Sequence, residues 1–456
     1  MIIKKTMFSR FVVMKTLAVF VLCCSASVSY ASNEAKLSAD LTAKIKKQIT
    51  ANSQRIETIF KDIHQNPELG FMEVRTAGIV EKELSSLGFE VKSGIGKTGV
   101  LAIFRNGKGP TVLYRADMDA NAVQETTELP YASTARVTTT DGKEVPVAHM
   151  CGHDAHVSWM LGMAHAMAEL KNQWQGTLVL VGQPAEELIA GAAAMIADGL
   201  YSRHGMPKPD YMIALHTVPI PLGTIMNVGG VRSAGTDQLD VTFYGVGGHG
   251  SSPHLTKDPV VMAASAVLQY QSIISRTIAP QQAAVLTVGS IQAGADNNVI
   301  PDKALLKLNL RWFSKPVREQ LIAGIKRINR SIAIANGLPE EKMPTIEMKG
   351  HSTPIINNPE LMARLSSSFS GSFKNSRIIE NAPPAMASED AHLLLGDYTD
   401  VPLAYLFVGV ANPKAFVDAG NKPPYFNHNG DFKVELEALP FGSRVATTAV
   451  MELMAR

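Results

Sequence analysis

Three short polar clusters each stand at the end of an apolar run, and they carry the residue types that hold metals and move protons. Arg115-Ala116-Asp117-Met118-Asp119 follows a run at 111–114, Gln183-Pro184-Ala185-Glu186-Glu187 follows 177–182, and His216 directly follows 211–215. Open α/β sheets place their ligand sites at the carboxyl ends of strands, so these groups are expected to converge. Taken singly, Asp119 could be a helix cap, Glu186 and Glu187 a solvated loop, and His216 an ordinary loop histidine. A fourth cluster, Cys151-Gly152-His153-Asp154, precedes a helical stretch containing Val157 and Met160, where a thiolate gains from the helix N-terminus and from a bound cation. An inert buried thiol beside a capping aspartate is the alternative. A mixture of Cys, His, Glu and a further His suits zinc or another transition metal, whereas calcium and magnesium prefer all-oxygen shells. Of the adjacent glutamates, one can face a given metal, because consecutive extended residues point in different directions. The other could take a proton from water, the division of labour in metal-assisted hydrolysis.

The cysteine count sharpens the argument. Lys4, Lys5, Arg10 and Lys15 form a basic leader, residues 16–28 are apolar and small, and Ser29-Tyr30-Ala31 has the form of a cleavage site. The apolar stretch is about 13 residues, short of the roughly 20 needed to span a bilayer, so residues 1–31 read as a signal peptide and the processed chain as lacking a stable membrane anchor. Loss of this segment removes Cys23 and Cys24 and takes the formal charge from +2 to −2. Cys151 alone remains, so no disulfide framework is available, and an exported protein keeps a free thiol best when it is buried or metal-bound. The balanced charge gives no case for nucleic acid.

The elements that must position these groups alternate. Residues 36–83 show helical spacing, with Gly88 ending the second helix, and near-continuous apolar runs at 111–114, 177–182, 211–215 and 403–408 read as buried strands separated by helices such as 155–170. That pattern predicts an α/β fold with a mostly parallel sheet. Between them, 239–244, 284–291, 304–312 and 345–349 read as strands, with helices at 259–274 and from Ser314, a candidate N-cap, to Gly337. The order β-α-β-β-α-β is that of a ferredoxin-like α+β unit. The expected organisation is therefore a discontinuous catalytic domain, 32–230 and 351–456, interrupted by an inserted domain at 231–350. Two G-x-G-x-x-G matches, at 94–99 and 245–250, do not open a helix and so do not read as dinucleotide loops.

Taken together the motifs resemble the co-catalytic metallopeptidase family that includes aminoacylase and carnosinase, in particular its hippurate hydrolase and indoleacetyl-amino-acid amidohydrolase subfamily. The resemblance rests on Asn66-Pro67-Glu68-Leu69-Gly70-Phe71, the Arg115 and Gln183 clusters, His149 and the cysteine cluster through His156, His216, Gly247-Gly248-His249, Asn298-Val299-Ile300-Pro301-Asp302 and Ser388-Glu389-Asp390. It implies two divalent metal ions, zinc or manganese, held by Cys151, His153, Glu187, His216 and His428, with Glu186 as general base. Asp119 would orient a ligand, His249 would stabilise the carbonyl oxygen from its own or a neighbouring subunit, and Asn298 and Arg311 would hold a substrate carboxylate. The inserted domain would serve as a lid and a homodimer surface. The implied activity is cleavage of the amide bond of a small N-acyl amino acid by a metal-activated water in a secreted, periplasmic enzyme; a dipeptidase or aminopeptidase is the alternative. Met150, the segment 120–123 and Ala391 depart from the family's usual residues, which bears on the walls of the substrate pocket.

Overall fold

The computed structural model describes residues 37–139 and 142–456; the expected leader lies outside the described residues. Helix α1, Ala39–Gln65, starts at Ser38, whose hydroxyl caps the Leu41 amide, and buries a stripe of Leu41, Ile45, Ile49, Ile56, Phe60 and Ile63. Helix α2, Val74–Ser86, follows a tight turn. Strands β1, Glu90–Ile95, and β2, Gly99–Asn106, form a hairpin whose turn holds Gly94, Gly96 and Lys97 at positive φ. The first of the two glycine motifs is thus a hairpin turn, and no helix opens from it.

Then come β3, Thr111–Asp117; α3, His153–Glu169; β4, Gly176–Gln183; α4, Gly191–Ala197; β5, Tyr211–Pro221; and β6, Thr224–Met226. After the second sheet described below, α7, Pro359–Ser372; β11, Arg377–Ile379; β12, Leu403–Ala411; and α8, Ala438–Met454, complete this part. The main sheet has the order β1-β2-β4-β3-β5-β12-β6-β11. Its centre, β4-β3-β5-β12, is parallel as expected, but β1-β2, β2-β4 and β12-β6 pair antiparallel. The parallel centre is thus bordered on each side by a strand of opposite sense, β2 and β6, each following the strand before it after a short turn and not a crossover helix.

Both faces of this sheet are covered. Leu178 and Leu180 of β4 point into the core under α1, α3 and α8, while Val179 and Val181 point to the opposite face against Ala192 and Met195 of α4. Each such fully buried side chain contributes roughly 1.5–3 kcal/mol. This two-sided burial is why the strands read as continuous apolar runs.

The second sheet is built from β7, Gly235–Tyr244; α5, Pro259–Arg276; β8, Ala284–Ala293; β9, Lys303–Trp312; α6, Lys315–Ala335; and β10, Thr345–Ser352. This is the expected β-α-β-β-α-β order, antiparallel in the arrangement β8-β9-β7-β10. Leu239, Val241, Phe243, Tyr270, Leu306 and Ile325 form a core of its own between sheet and helices. Ser314 stands at the N-cap of α6, although its side chain makes no capping bond. The chain enters through Gly230–Ser233 and leaves through Ile355–Asn357, two short strands that pair with each other antiparallel. Among the described residues no helix is long and apolar enough to cross a membrane.

Candidate metal centre and active site

The carboxyl end of the parallel sheet gathers the polar clusters. Beyond β3, the buried Asp119 accepts from the Glu187 amide (3.0 Å) and its other oxygen lies 3.2 Å from His153 Nδ1. Asp119 therefore ties the two loops together and fixes which His153 nitrogen faces the cluster. Cys151 and His153 flank Gly152, which has φ +84° where a Cβ would strike the Thr217 side chain at 2.6 Å. Only glycine allows the chain to turn there and start α3 at His153. His216 lies inside β5 and not past its end. The strand continues to Pro221 because it pairs with β12, with His216 opposite Phe407.

The adjacent glutamates correct one expectation. Residues 186–189 form a turn, with Ala185 at φ +47° and Ile189 at φ +51°, so extended alternation does not apply to them. Both carboxylates come within 4 Å of His153 Nε2, Glu186 at 3.9 Å and Glu187 at 3.8 Å. Their other neighbours differ. Glu187 meets His428 Nε2 at 3.1 Å, whereas Glu186 shares a buried cluster with Glu389 and Asp390. The turn is tight enough that a Cβ on Gly191 would overlap the Pro184 carbonyl at 1.5 Å. His428 arrives on the C-terminal segment, which docks on the cysteine loop: its amide donates to the Met150 carbonyl (2.6 Å), and the Asn427 amide lies 3.6 Å from Cys151 Sγ.

Two triads result, Cys151-His153-His216 and Cys151-Glu187-His428, each with ligand atoms within 4.8 Å of one another and both including the thiol. The donor set fits divalent cations, and Cys151 is the donor common to the two triads. His153 Nε2, buried and without a hydrogen-bond partner, stands among these donors. Burial alone opposes a thiolate, but His216 and His153 outweigh it and bring Cys151 down to about 6. Burial likewise opposes ionisation of Glu187, which hydrogen bonding to His428 and the charge of His153 nevertheless hold down at about 2. Glu186 goes the other way: burial, then the nearby charges of Glu389 and Glu187, push it well above the ordinary carboxylate range. One of the pair is thus kept as an anion and the other is basic enough to accept a proton, the separation that acid–base sites require.

Beneath lies a buried charge lattice that the sequence reading quoted as motif without assigning roles. The Arg115 guanidinium donates to Asp117 (2.6 Å), to Glu389 (2.7 Å) and to Gln183 (2.8 Å), and the Tyr405 hydroxyl donates to Glu389 (2.8 Å). Asp117 also meets His156 Nδ1 at 2.5 Å, and the other His156 nitrogen accepts the Thr217 amide. The signal for Asp117 was its position two residues before Asp119; nothing in one sequence pointed to the pairing of Arg115 with Glu389, 274 positions away.

A cavity of about 490 Å³ opens over the triads, lined by Phe407, Val218, Ile189, Ala387 and Arg311. Arg311 donates to Ser388 Oγ and, through Nε, to Asn309 (2.8 Å). His249 and Asn298 are brought to each other, since the Gly250 amide donates to the Asn298 carbonyl and His249 pairs with Val299 in a short ribbon. Neither lines this cavity. His249 is exposed and its Nδ1 accepts from the Ser251 amide (3.1 Å).

The model of peptidase family M20/M25/M40 matches residues 113–452, and the chain belongs to that family. It is 37% identical over 337 residues to the hippurate hydrolase of Campylobacter jejuni, covering 73% of this chain and 83% of the relative. It is 32% identical over 394 residues to the N-acetyldiaminopimelate deacetylase of Leuconostoc mesenteroides, covering 84% and 97%. Among solved structures, a dinuclear metal-binding peptidase of the M20 family from Bacillus subtilis superimposes with TM-score 0.66 at 25% identity, covering 89% and 99%. An aminohydrolase from methicillin-resistant Staphylococcus aureus gives TM-score 0.75 at 25% identity, covering 91% and 100%. The protein is a metal-dependent hydrolase acting on amide bonds.

Proposed function

We propose that this is an exported, periplasmic amidohydrolase that cleaves the amide bond of small N-acyl amino acids, with zinc or manganese at both cation positions. The observation that carries the reading is the pair of ligand triads sharing Cys151, with a basic Glu186 beside them and an arginine lining the cavity. Cys151, His153, Glu187, His216 and His428 would hold the ions. When bound, the ions supply Lewis acidity that favours ionisation of water and polarises the scissile carbonyl. Glu186 takes the proton from water at its carboxylate and returns it to the departing amine nitrogen, a task for which a raised pKa is suited. Asp119 keeps His153 in one tautomer, and Arg311 suits a substrate carboxylate because its fork can donate to both oxygens. The apolar walls, Phe407, Val218 and Ile189, suit the acyl group.

The basic and apolar leader supports export, and the relatives named for hydrolysis of hippurate and deacetylation of N-acetyldiaminopimelate support the substrate class. His249 and Asn298, set away from the cavity of their own chain, support a homodimer through the second sheet in which a second copy supplies them. The outward Val261 and Leu268 of α5 and Ile291 of the edge strand β8, all exposed, favour the same surface. The test is amine release from benzoyl-glycine and a panel of N-acyl amino acids, set against free dipeptides, with elemental analysis of the same sample. Turnover of free dipeptides alone would replace this reading by a dipeptidase or aminopeptidase.

A further inference from the structure

Two sequence motifs have no part in the chemistry above, the Asn66-Pro67-Glu68-Leu69-Gly70-Phe71 turn and the hairpin turn at 94–99, yet both converge on one buried side chain. Glu73 is the N-cap residue of α2 and is 0% exposed. A carboxylate at that position ordinarily accepts from the first amides of its own helix. Here Glu68 takes that task, accepting from the Arg75 and Thr76 amides (2.8 Å each) and from the Thr76 hydroxyl (2.9 Å). Glu73 is released to reach elsewhere. One oxygen accepts the Ala185 amide (2.7 Å) and the other the hydroxyl of Thr98 (2.5 Å), which the hairpin turn supplies. The turn at 66–71 presses on the same spot, where a Cβ on Gly70 would stand 3.1 Å from Ala185 Cα.

Ala185 immediately precedes Glu186, and its φ of +47° is left-handed, as is the +51° of Ile189. For residues other than glycine, such conformations are disfavoured by roughly 5- to 100-fold each and persist only where surrounding contacts impose them. Glu73 holds the amide at the first of these positions, while the Ala185 carbonyl accepts from the Ala190 (3.4 Å) and Gly191 (3.2 Å) amides within the turn itself.

We propose that Glu73 is a positioning residue for the catalytic turn: its carboxylate holds Ala185 in the left-handed conformation that sets where Glu186 and Glu187 stand. The inference rests on the reading of Glu186 as base and Glu187 as ligand. Glu68 acts one step further back, by capping α2 in place of Glu73.

The experiment compares Glu73→Ala, Glu73→Gln and the double variant Glu73→Ala/Ala185→Gly in the full-length protein. It reads amide hydrogen exchange over residues 183–190, bound metal, thermal midpoint and kcat on benzoyl-glycine. Glu73→Ala should speed exchange at this turn about tenfold or more and lower kcat roughly 10- to 100-fold, since small misplacements of reacting groups cost that much. Glu73→Gln should keep most of both, because its amide oxygen still accepts from Ala185 and its amino group can donate to Thr98. The double variant should recover part of kcat without recovering the thermal midpoint, because glycine adopts the left-handed conformation without being held there. Unchanged exchange and kcat in Glu73→Ala would overturn the proposal, as would a Glu73→Gln variant as impaired as the alanine. Failure of the underlying base and ligand reading shows separately, as a fully active Glu186→Gln variant or full metal retention in Glu187→Gln.

Discussion

Glu186 and Glu187 are neighbours in sequence, and their surroundings push their proton affinities apart: one carboxylate faces Glu389 and Asp390, the other His428. Glu186→Gln keeps the shape of the turn and removes the proton acceptor, so turnover should fall about 100- to 10,000-fold with metal retained. Glu187→Gln should lose metal and activity together, because a neutral amide is a poorer ligand than a carboxylate. Elemental analysis and amine release on both variants decide the assignment, and the reverse pattern would exchange the roles. His249→Ala should keep its metal and lose roughly 100- to 1000-fold in kcat if it stabilises the developing oxyanion; near-normal turnover would remove His249 from the mechanism. Strand-end positions singled out Glu186, Glu187 and His216 in the sequence, and the start of a helical stretch singled out Cys151 and His153; the structure brings these side chains together. Asp117, His156 and Glu389 were present in quoted motifs without roles, and Glu73 stood just outside one, two residues after Phe71. Their partners lie far away in the chain, and only the fold brings them together.

At the scale of elements, α1 and α3 are locked together behind the site by His64. Its ring meets Asp154 at 2.6 Å and Glu125 at 3.1 Å, all three buried, and although burial alone would lower it, these carboxylates raise His64 to about 9. A folded-state value above that of the unfolded chain gives stability that is fully present below about pH 6.5 and lost as pH rises through about 9. The stability difference between the wild type and His64→Gln should therefore be largest near pH 6 and shrink by on the order of 3 kcal/mol towards pH 10, as measured by chemical denaturation. A difference independent of pH would show that the ring contributes packing alone. Sequence pattern recovered the parallel strands because burial on both faces writes continuous apolar runs. The antiparallel sense of β1 and β2 was not legible, since a hairpin and a crossover leave similar short runs and differ only in which strand they meet. The brevity predicted for the strand before His216 failed for a related reason: pairing with β12, and not apolar composition, carries β5 on to Pro221.

For the whole molecule, the second sheet has a core of its own, and the chain enters and leaves it through the two short strands Gly230–Ser233 and Ile355–Asn357, which pair antiparallel. The separation of His249 from the cavity of its own chain leads to the expectation of a dimer in solution by light scattering, with mixed dimers of His249→Ala and Glu186→Gln chains regaining activity in part. A monomeric and fully active enzyme would place His249 outside the chemistry. The central claim is that one thiol is shared by two cation positions, and metal stoichiometry tests it most directly. Purified full-length protein should bind two divalent ions per chain by elemental analysis, and Cys151→Ala should lose metal from both positions together with amidohydrolase activity. A Cys151→Ala protein that retains two ions and full turnover would contradict the account.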